Sequence, residues 1–230
     1  MDHHDAVRLT DYYLDKYHRY GYSPAALGWD KGKQSIRFDI LTQACDLRGK
    51  KILDIGCGFG DLNLILQQKL GDGNYEYCGV DMVDDFLTEG RKRYGNADVR
   101  FLKGNFLETE LAGDFDFAVA SGIFNLKLKG QKDNYVFIRE AMHKALDLCK
   151  VGFAFDFLSD RVDYQYEHTF HSNPTKVLDM AYGFSRRCVL RNDYMPFEFA
   201  LYVFKDDSFD KADTLFCEYL KARAAGPSTL

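Results

Sequence analysis

One short segment, residues 52–62, constrains the fold of this chain more than any other. An apolar run leads into three alternate glycines, Gly56, Gly58 and Gly60, and then into a helical pattern. Glycine adopts positive φ angles and lets the backbone approach a ligand closely, so this spacing predicts a tight turn. A helix that begins at such a turn presents free N–H groups and the positive end of its dipole. The segment therefore predicts a strand, a ligand-binding turn and a helix.

The rest of the chain alternates between short apolar runs and helical patterns. Strands are predicted, in chain order, at 51–55, 77–80, 99–102, 116–120 and 152–157. Helices are predicted at 2–20, 31–46, 62–70, 84–94 and 135–150. Strands separated by helices pair in parallel through right-handed crossovers.

The end of the chain follows a different pattern. Two further strands, at 188–190 and 197–204, are joined by a connection too short for a crossover, which predicts an antiparallel hairpin. The predicted fold class is therefore α/β, a Rossmann-like doubly wound sheet of seven strands with helices on both faces. The sheet is expected to be mostly parallel, with the antiparallel hairpin at its C-terminal end.

The 230 residues fit one domain, because no repeat, low-complexity tract or linker divides them. We predict five parts within it, namely an N-terminal helical lid at 1–48, a ligand-binding core at 49–157, a substrate-side insertion at 158–186, the terminal hairpin at 187–205 and a C-terminal helix at 206–230.

Charge and cysteine usage exclude several classes of function. The net charge is −5 and the basic residues are scattered, so we expect no nucleic acid partner. The six cysteines form no CxxC pair, which argues against a metal knuckle or a redox pair. The polar N-terminus and the short apolar runs predict a cytoplasmic protein without a membrane partner. The lid and the C-terminal helix are the parts on which a homodimer would form.

The charges beside the glycine turn indicate the ligand. The dinucleotide fingerprint G-x-G-x-x-G fails here, because Gly60 comes one position early and Asp61 stands where the third glycine belongs. Asp54 ends the preceding strand, so carboxylates on both sides of the turn would repel a pyrophosphate. A cationic nucleoside without phosphate, such as S-adenosylmethionine, tolerates them.

The pattern D-x-G-x-G-x-G at 54–60 resembles the first motif of class I S-adenosylmethionine-dependent methyltransferases, and residues 50–157 follow the order of that family. The resemblance implies S-adenosyl-L-methionine as cofactor and methyl transfer to a small-molecule acceptor. It also implies the cofactor-binding residues, which are Asp54, Gly56, Gly58 and Gly60 at the methionine part, Asp81 at the ribose hydroxyls, Met82 and Asn105 at the adenine, Phe106 next to Asn105 in the chain, and Ser121 near the reactive end.

This sequence departs from the family at one of these positions. The third strand of the family typically ends in Gly-Asp, whereas this chain has Gly104-Asn105, whose amide oxygen can still accept from the adenine amino group. The end of the fourth strand lacks the clustered acids of a metal-dependent site, so no metal is expected.

The family motifs do not identify a general base, so candidates come from position and chemistry. The loops after the fourth and fifth strands contain Asn125, His168 and His171, which we predict as catalytic candidates. The two histidines are candidate bases, because histidine titrates near neutral pH. His171 could instead only flank a helix that starts at Pro174. Asp156 is either a substrate ligand or a strand-end acid, and Trp29 and several tyrosines of the lid are further acceptor contacts.

Other functions remain open from the sequence alone. The alternatives are a nicotinamide-dependent oxidoreductase, which needs the glycine spacing that Asp61 disrupts, and a binding module that keeps the cofactor site without turnover. A peptide or protein acceptor is a further alternative within the methyltransferase interpretation.

Overall fold

The computed structural model describes residues 1–28, 33–131 and 133–206, together with Ala224. Trp29, Cys217 and almost all of the predicted C-terminal helix lie outside these residues. The helices are α1 (His3–Tyr20), α2 (Gln34–Leu41), α3 (Leu62–Leu70), α4 (Asp84–Tyr94), α5 (Asn134–Leu148) and α6 (Pro174–Tyr182), with a 3₁₀ turn at Pro24–Leu27. The strands are β1 (Lys51–Ile55), β2 (Glu76–Asp81), β3 (Val99–Lys103), β4 (Phe115–Ala120), β5 (Cys149–Leu158), β6 (Cys188–Arg191) and β7 (Glu198–Phe204).

The seven strands form one sheet in the order β3-β2-β1-β4-β5-β7-β6. The first five strands are parallel, and β7 is antiparallel to both β5 and β6. In the register of the central strands, Ile55 lies opposite both Val80 and Ala120. The Rossmann-like sheet and its C-terminal hairpin are thus confirmed, and β7 lies between β5 and β6.

Alternating side chains of each central strand pack on opposite faces of the sheet. Leu53 belongs to a core that includes Ile138 of α5 and Val177 of α6. Its neighbour Ile52 belongs to a second core with Leu41 of α2 and Leu66 of α3. Because both faces bury apolar side chains under helices, the central strands read as continuous apolar runs. The prediction of helices on both faces is confirmed.

The C-terminal ends of two helices differ from the prediction by two or more residues. The helix predicted at 31–46 ends at Leu41, where the Thr42 hydroxyl donates to the Phe38 carbonyl at 2.8 Å. Such side-chain bonding to the backbone competes with helix continuation. The helix predicted to reach residue 150 ends at Leu148, because Cys149 already belongs to β5. Pairing of Cys149 with Phe115 of β4, and of Leu158 with Glu198 of β7, extends β5 beyond the predicted 152–157.

The N-terminal helix is fixed across the C-terminal edge of the sheet. The buried Asp5 carboxylate accepts hydrogen bonds from the backbone N–H groups of Lys129 at 2.9 Å and Gly130 at 2.8 Å. Asp2 caps the same helix and accepts from the N–H of Gln131. These contacts join α1 to the loop that follows β4. In the part of the chain that the structure describes, no helix combines the length and apolar character needed to cross a membrane.

Candidate active site

A cleft opens where the C-terminal ends of β1, β2 and β4 converge. Clefts at this edge are the usual ligand sites of open α/β sheets, because the loops of several strands meet there. Most of the predicted cofactor residues line it, namely Asp54, Gly56, Gly58, Asp81, Met82, Asn105, Phe106 and Ser121.

The glycine turn needs glycine for two reasons. Gly56 and Gly58 have φ angles of +67° and +55°, which other residues rarely adopt. A Cβ atom at Gly56 would lie 2.2 Å from Ile123 Cγ2, and one at Gly58 would lie 3.0 Å from Leu27 Cδ2. Gly60 differs, because its Cα faces the ring of Phe101 below the turn and it does not line the cleft.

The Asp81 carboxylate is held in place by the backbone. Its two oxygens accept from the N–H groups of Gly58 and Val83, each at 2.9 Å. Burial raises the pKa of Asp81, and these N–H donors oppose the rise. Each carboxylate oxygen has a second lone pair, so Asp81 can still accept from the hydroxyls of a ribose.

Asp54 is a buried acid at the end of β1. The Tyr77 hydroxyl donates to its Oδ2 at 2.7 Å. Burial raises the pKa of Asp54 to about 7, and the negative charges of Asp81 and Asp61 add to the rise. A cation in the cleft would stabilise the Asp54 carboxylate, because opposite charge favours the ionised form.

The side chain of Asn105 has an unsatisfied donor. Its Oδ1 accepts from the N–H of Leu107 at 3.3 Å, whereas its buried Nδ2 has no hydrogen-bond partner among the described residues. The oxygen expected to meet an adenine amino group already accepts from Leu107 and has one lone pair left, and the amide N–H₂ is free to donate to a ring nitrogen. Met82 and the buried ring of Phe106 line the cleft beside it.

Ser121 lies at the end of β4 and reaches a second buried acid. Its hydroxyl donates to Asp156 Oδ2 at 2.5 Å, and the N–H of Gly122 donates to Asp156 Oδ1 at 2.7 Å. Asp156 is 1% exposed, and burial raises its pKa to about 6. The sequence left open whether this acid is a ligand or a structural group.

The three predicted catalytic candidates lie outside the lining of the cleft. Asn125 Oδ1 accepts from the N–H of Leu158 at 3.2 Å, which joins the β4 loop to β5. Both ring nitrogens of His171 are bonded within its own loop, Nδ1 to the Ser159 carbonyl and Nε2 to the Thr169 hydroxyl. His168 is exposed.

Sequence reasoning did not assign several residues that line the cleft. They come from the lid, from α2 and from the helices beside the sheet, and include Met1, Leu27, Gln34, Phe38, Phe86 and Phe137. Gln34 and Phe38 are one helical turn apart, so the helical spacing of α2 could have placed them on one face. Tyr13 of α1, one of the tyrosines of the lid, also lines the cleft.

The cleft fits a cationic nucleoside. Among the described residues that line it, Asp54 and Asp81 have the only charged side chains, and both are acids. The unsatisfied Nδ2 of Asn105 and the space that a Cβ at Gly56 would fill are further features of a preformed ligand site. Within the described ranges, no group of three His, Cys, Asp or Glu side chains is arranged to bind a metal ion.

Comparison with known families supports this interpretation. Residues 52–146 match the family model described as a methyltransferase domain. No match was found among curated protein sequences.

Solved structures with the same fold bind the demethylated cofactor. The magnesium protoporphyrin IX methyltransferase of Synechocystis with bound SAH has a TM-score of 0.63 at 15% identity, over 88% of this chain and 100% of that one. The DhpI–SAH complex has a TM-score of 0.64 at 14% identity, over 88% and 97%. The geranyl diphosphate C-methyltransferase of Streptomyces coelicolor has a TM-score of 0.54 at 13% identity, over 74% and 77%. At these identities the likeness shows the fold.

Proposed function

We propose that this chain is a class I, Rossmann-like S-adenosylmethionine-dependent methyltransferase whose methyl acceptor is a small molecule. The observation that supports cofactor binding best is the Asp81 carboxylate, which the N–H groups of Gly58 and Val83 hold at the edge of the glycine turn. An acid fixed there can accept two hydroxyl hydrogen bonds without reorganising.

The cover over the cleft supports a small acceptor. Leu27 of the 3₁₀ turn lies against Gly58, and Tyr13 of α1 lines the cleft from above the sheet. A polymer would need an open groove, whereas here Leu27 and Tyr13 partly cover the cleft in which cofactor and acceptor would lie. The relatives that act on magnesium protoporphyrin IX and geranyl diphosphate, as their names state, are consistent with a small acceptor.

The residues of the chain would contribute mainly by binding and orientation. When bound, S-adenosylmethionine supplies a methyl carbon that its sulfonium already activates for displacement. Asp81 would hold the ribose hydroxyls, and the Asp54 carboxylate would attract the cationic end of the cofactor. The glycine turn would let the backbone approach the cofactor closely. The lid would exclude water, so that acceptor, methyl carbon and sulfur stay in line.

Calorimetry with S-adenosylhomocysteine tests the cofactor assignment. Asp81→Ala should weaken binding by about 1.5–3 kcal/mol, the usual contribution of hydrogen bonds to a charged group. Asp147→Asn on the exposed face of α5 is the control, and its affinity should equal that of the wild type. Equal affinity in a folded Asp81→Ala variant, or tight binding of NADH by the wild type, would contradict the assignment.

Methyl transfer tests the acceptor class. The wild type would be incubated with labelled S-adenosylmethionine and two fractions of a cell extract, one of metabolites and one of proteins and peptides. We expect label in a small molecule. Label confined to proteins would replace the proposal with a peptide acceptor, and cofactor binding without transfer would favour a non-catalytic module.

A further inference from the structure

The pair formed by Ser121 and Asp156 has a geometry suited to proton transfer. Ser121 lines the cleft at the end of β4, whereas Asp156 lies behind it in β5 and does not line the cleft. The Ser121 hydroxyl donates its only proton to Asp156 Oδ2, in a hydrogen bond of 2.5 Å, and so cannot donate to a ligand at the same time. The lone pairs of Ser121 Oγ can therefore accept a hydrogen bond from a molecule in the cleft.

Several charged and titratable groups face Asp156 from the elements around it. Arg37 of α2 lowers its pKa, Glu198 of β7 raises it, and the Tyr194 ring lies nearby in the turn between β6 and β7. Arg37 is bound by Glu198, with 2.6 Å between Nε and Oε2. Since Glu198 already balances much of the Arg37 charge, burial dominates and keeps Asp156 basic enough to take up a proton near neutral pH.

A purely structural role would explain only one of the two hydrogen bonds that the Asp156 carboxylate accepts. Asp156 Oδ1 accepts from the N–H of Gly122, whose φ angle of +79° marks the turn after β4. That contact shapes the turn and needs no titration. The other oxygen, Oδ2, meets a hydroxyl that lines the cleft, and turn geometry does not require this contact.

We propose that Ser121 binds the nucleophilic O–H or N–H group of the acceptor and relays its proton to Asp156. This assigns the acceptor to the class of phenols, alcohols and primary or secondary amines, and it rests on the proposed methyltransferase function. Ser121 contacts the acceptor, and Asp156 is a positioning and proton-accepting residue that acts through it.

The transfer balances in atoms and electrons. The oxygen or nitrogen of the acceptor forms a bond to the methyl carbon while the carbon–sulfur bond breaks, and its electron pair stays on sulfur. The proton of the acceptor moves to Ser121 Oγ as Ser121 gives its own proton to Asp156 Oδ2. A neutral thioether, a methylated acceptor and a protonated Asp156 result, and the last returns its proton to solvent between turnovers.

The first test measures protonation of Asp156 without turnover. Infrared difference spectra of the protein saturated with S-adenosylhomocysteine would be recorded during a pH titration. We expect a carboxylic acid band that appears as the pH falls through about 6, is absent in Asp156→Asn and shifts in Ser121→Ala. A band that Asp156→Asn leaves unchanged would overturn the proposal.

The second test measures the acceptor class and the rate. Labelled S-adenosylmethionine would be offered with phenols, alcohols and primary and secondary amines, and with tertiary amines and thioethers, which have no proton to release. Only the first group should be methylated. Asp156→Asn should lower kcat by about 100-fold or more, the usual range for proton transfer to a positioned base. Ser121→Thr should keep most of the rate that Ser121→Ala loses.

Three further measurements separate this role from others. The wild-type rate should fall as the pH drops through about 6, and Asp156→Asn should lose this dependence. The affinity of Asp156→Asn for S-adenosylhomocysteine should stay within about twofold of the wild type, far less than the tenfold that 1.4 kcal/mol represents, because Asp156 does not line the cleft. Asp147→Asn should match the wild type throughout.

Each contrary outcome identifies what has failed. Wild-type rates in Asp156→Asn, or methylation only of tertiary amines and thioethers, would overturn the relay while leaving a methyltransferase. A wild-type protein that binds the cofactor and methylates nothing in any fraction would remove the proposed function, and the relay with it.

Discussion

The Tyr22 hydroxyl donates a hydrogen bond to the Asp61 carboxylate at 2.8 Å, and this contact joins the N-terminal lid to the start of α3. Tyr94 of α4 donates to the same oxygen at 2.7 Å, and the Arg93 guanidinium lies 3.4 Å from the centre of the Tyr22 ring. Asp61 thus has a role that its position in the sequence does not reveal, because it holds the lid over the glycine turn.

Tyr22→Phe should loosen the lid and speed the release of cofactor. Removing the hydroxyl costs a hydrogen bond to a charged acceptor, about 1.5 kcal/mol, so the dissociation rate of S-adenosylhomocysteine should rise by about tenfold. Stopped-flow fluorescence would measure it, with Tyr20→Phe as the control because the Tyr20 side chain is 47% exposed. A dissociation rate equal to that of the control would show that this contact does not retain the cofactor.

Gly56→Ala should abolish cofactor binding and lower stability. The Cβ would lie 2.2 Å from Ile123 Cγ2, and the φ angle of +67° adds backbone strain of about 1–3 kcal/mol. Gly73→Ala is the matched control, since Gly73 has a φ angle of +74° and no atom within 4 Å of its added Cβ. Calorimetry and urea unfolding should show backbone strain in both variants but loss of binding only in Gly56→Ala. Binding lost equally in both would contradict the role of Gly56.

Binding of S-adenosylmethionine should release protons near pH 7. The pKa of Asp54 is raised to about 7, so part of the protein has this acid protonated, and a nearby cation lowers the pKa. The affinity should therefore increase as the pH rises through about 7. Calorimetry in two buffers with different ionisation enthalpies would measure the released protons, and Asp54→Asn should remove the difference between the buffers. The same proton release in Asp54→Asn would assign it to another group.

Glu198→Gln should destabilise the fold strongly. Arg37 and Glu198 are only 6% and 8% exposed, so the substitution leaves a buried guanidinium without its carboxylate. Breaking such a pair costs about 3–5 kcal/mol, whereas replacing both partners with apolar residues costs much less. In urea unfolding, the free energy of unfolding of Arg37→Met/Glu198→Leu should therefore lie between that of Glu198→Gln and that of the wild type. If Glu198→Gln were as stable as the wild type, the Arg37–Glu198 pair would contribute nothing to the stability of the fold.

The local parts of the fold follow from short stretches of sequence. The glycine turn between β1 and α3 depends on residues within a dozen positions of one another. The same is true of the start of α6, where Asn173 is the N-cap and Pro174 is the first helical residue. Helix ends are less local, since α5 stops at Leu148 because the next residue, Cys149, pairs with Phe115 of β4.

The acceptor side of the cleft depends on contacts between distant residues. Ser121 and Asp156 belong to adjacent strands, and the Arg37–Glu198 pair joins the lid region to β7. A sequence shows histidines such as His168 and His171 as chemically suited bases, yet loop bonding turns His171 toward its own backbone. Burial turns Asp156 into a candidate base, and burial is a property of the folded chain.

The sequence by itself determined the strand–turn–helix unit, the acids on both sides of the turn and the order of strands and helices, because hydrophobic period and glycine spacing act over short distances. Only the tertiary structure decided that β7 enters the sheet beside β5, that Asp61 holds the lid and that a buried carboxylate lies behind Ser121. Pairing between distant strands and removal of charge from water are set by the whole fold, so no local pattern records them.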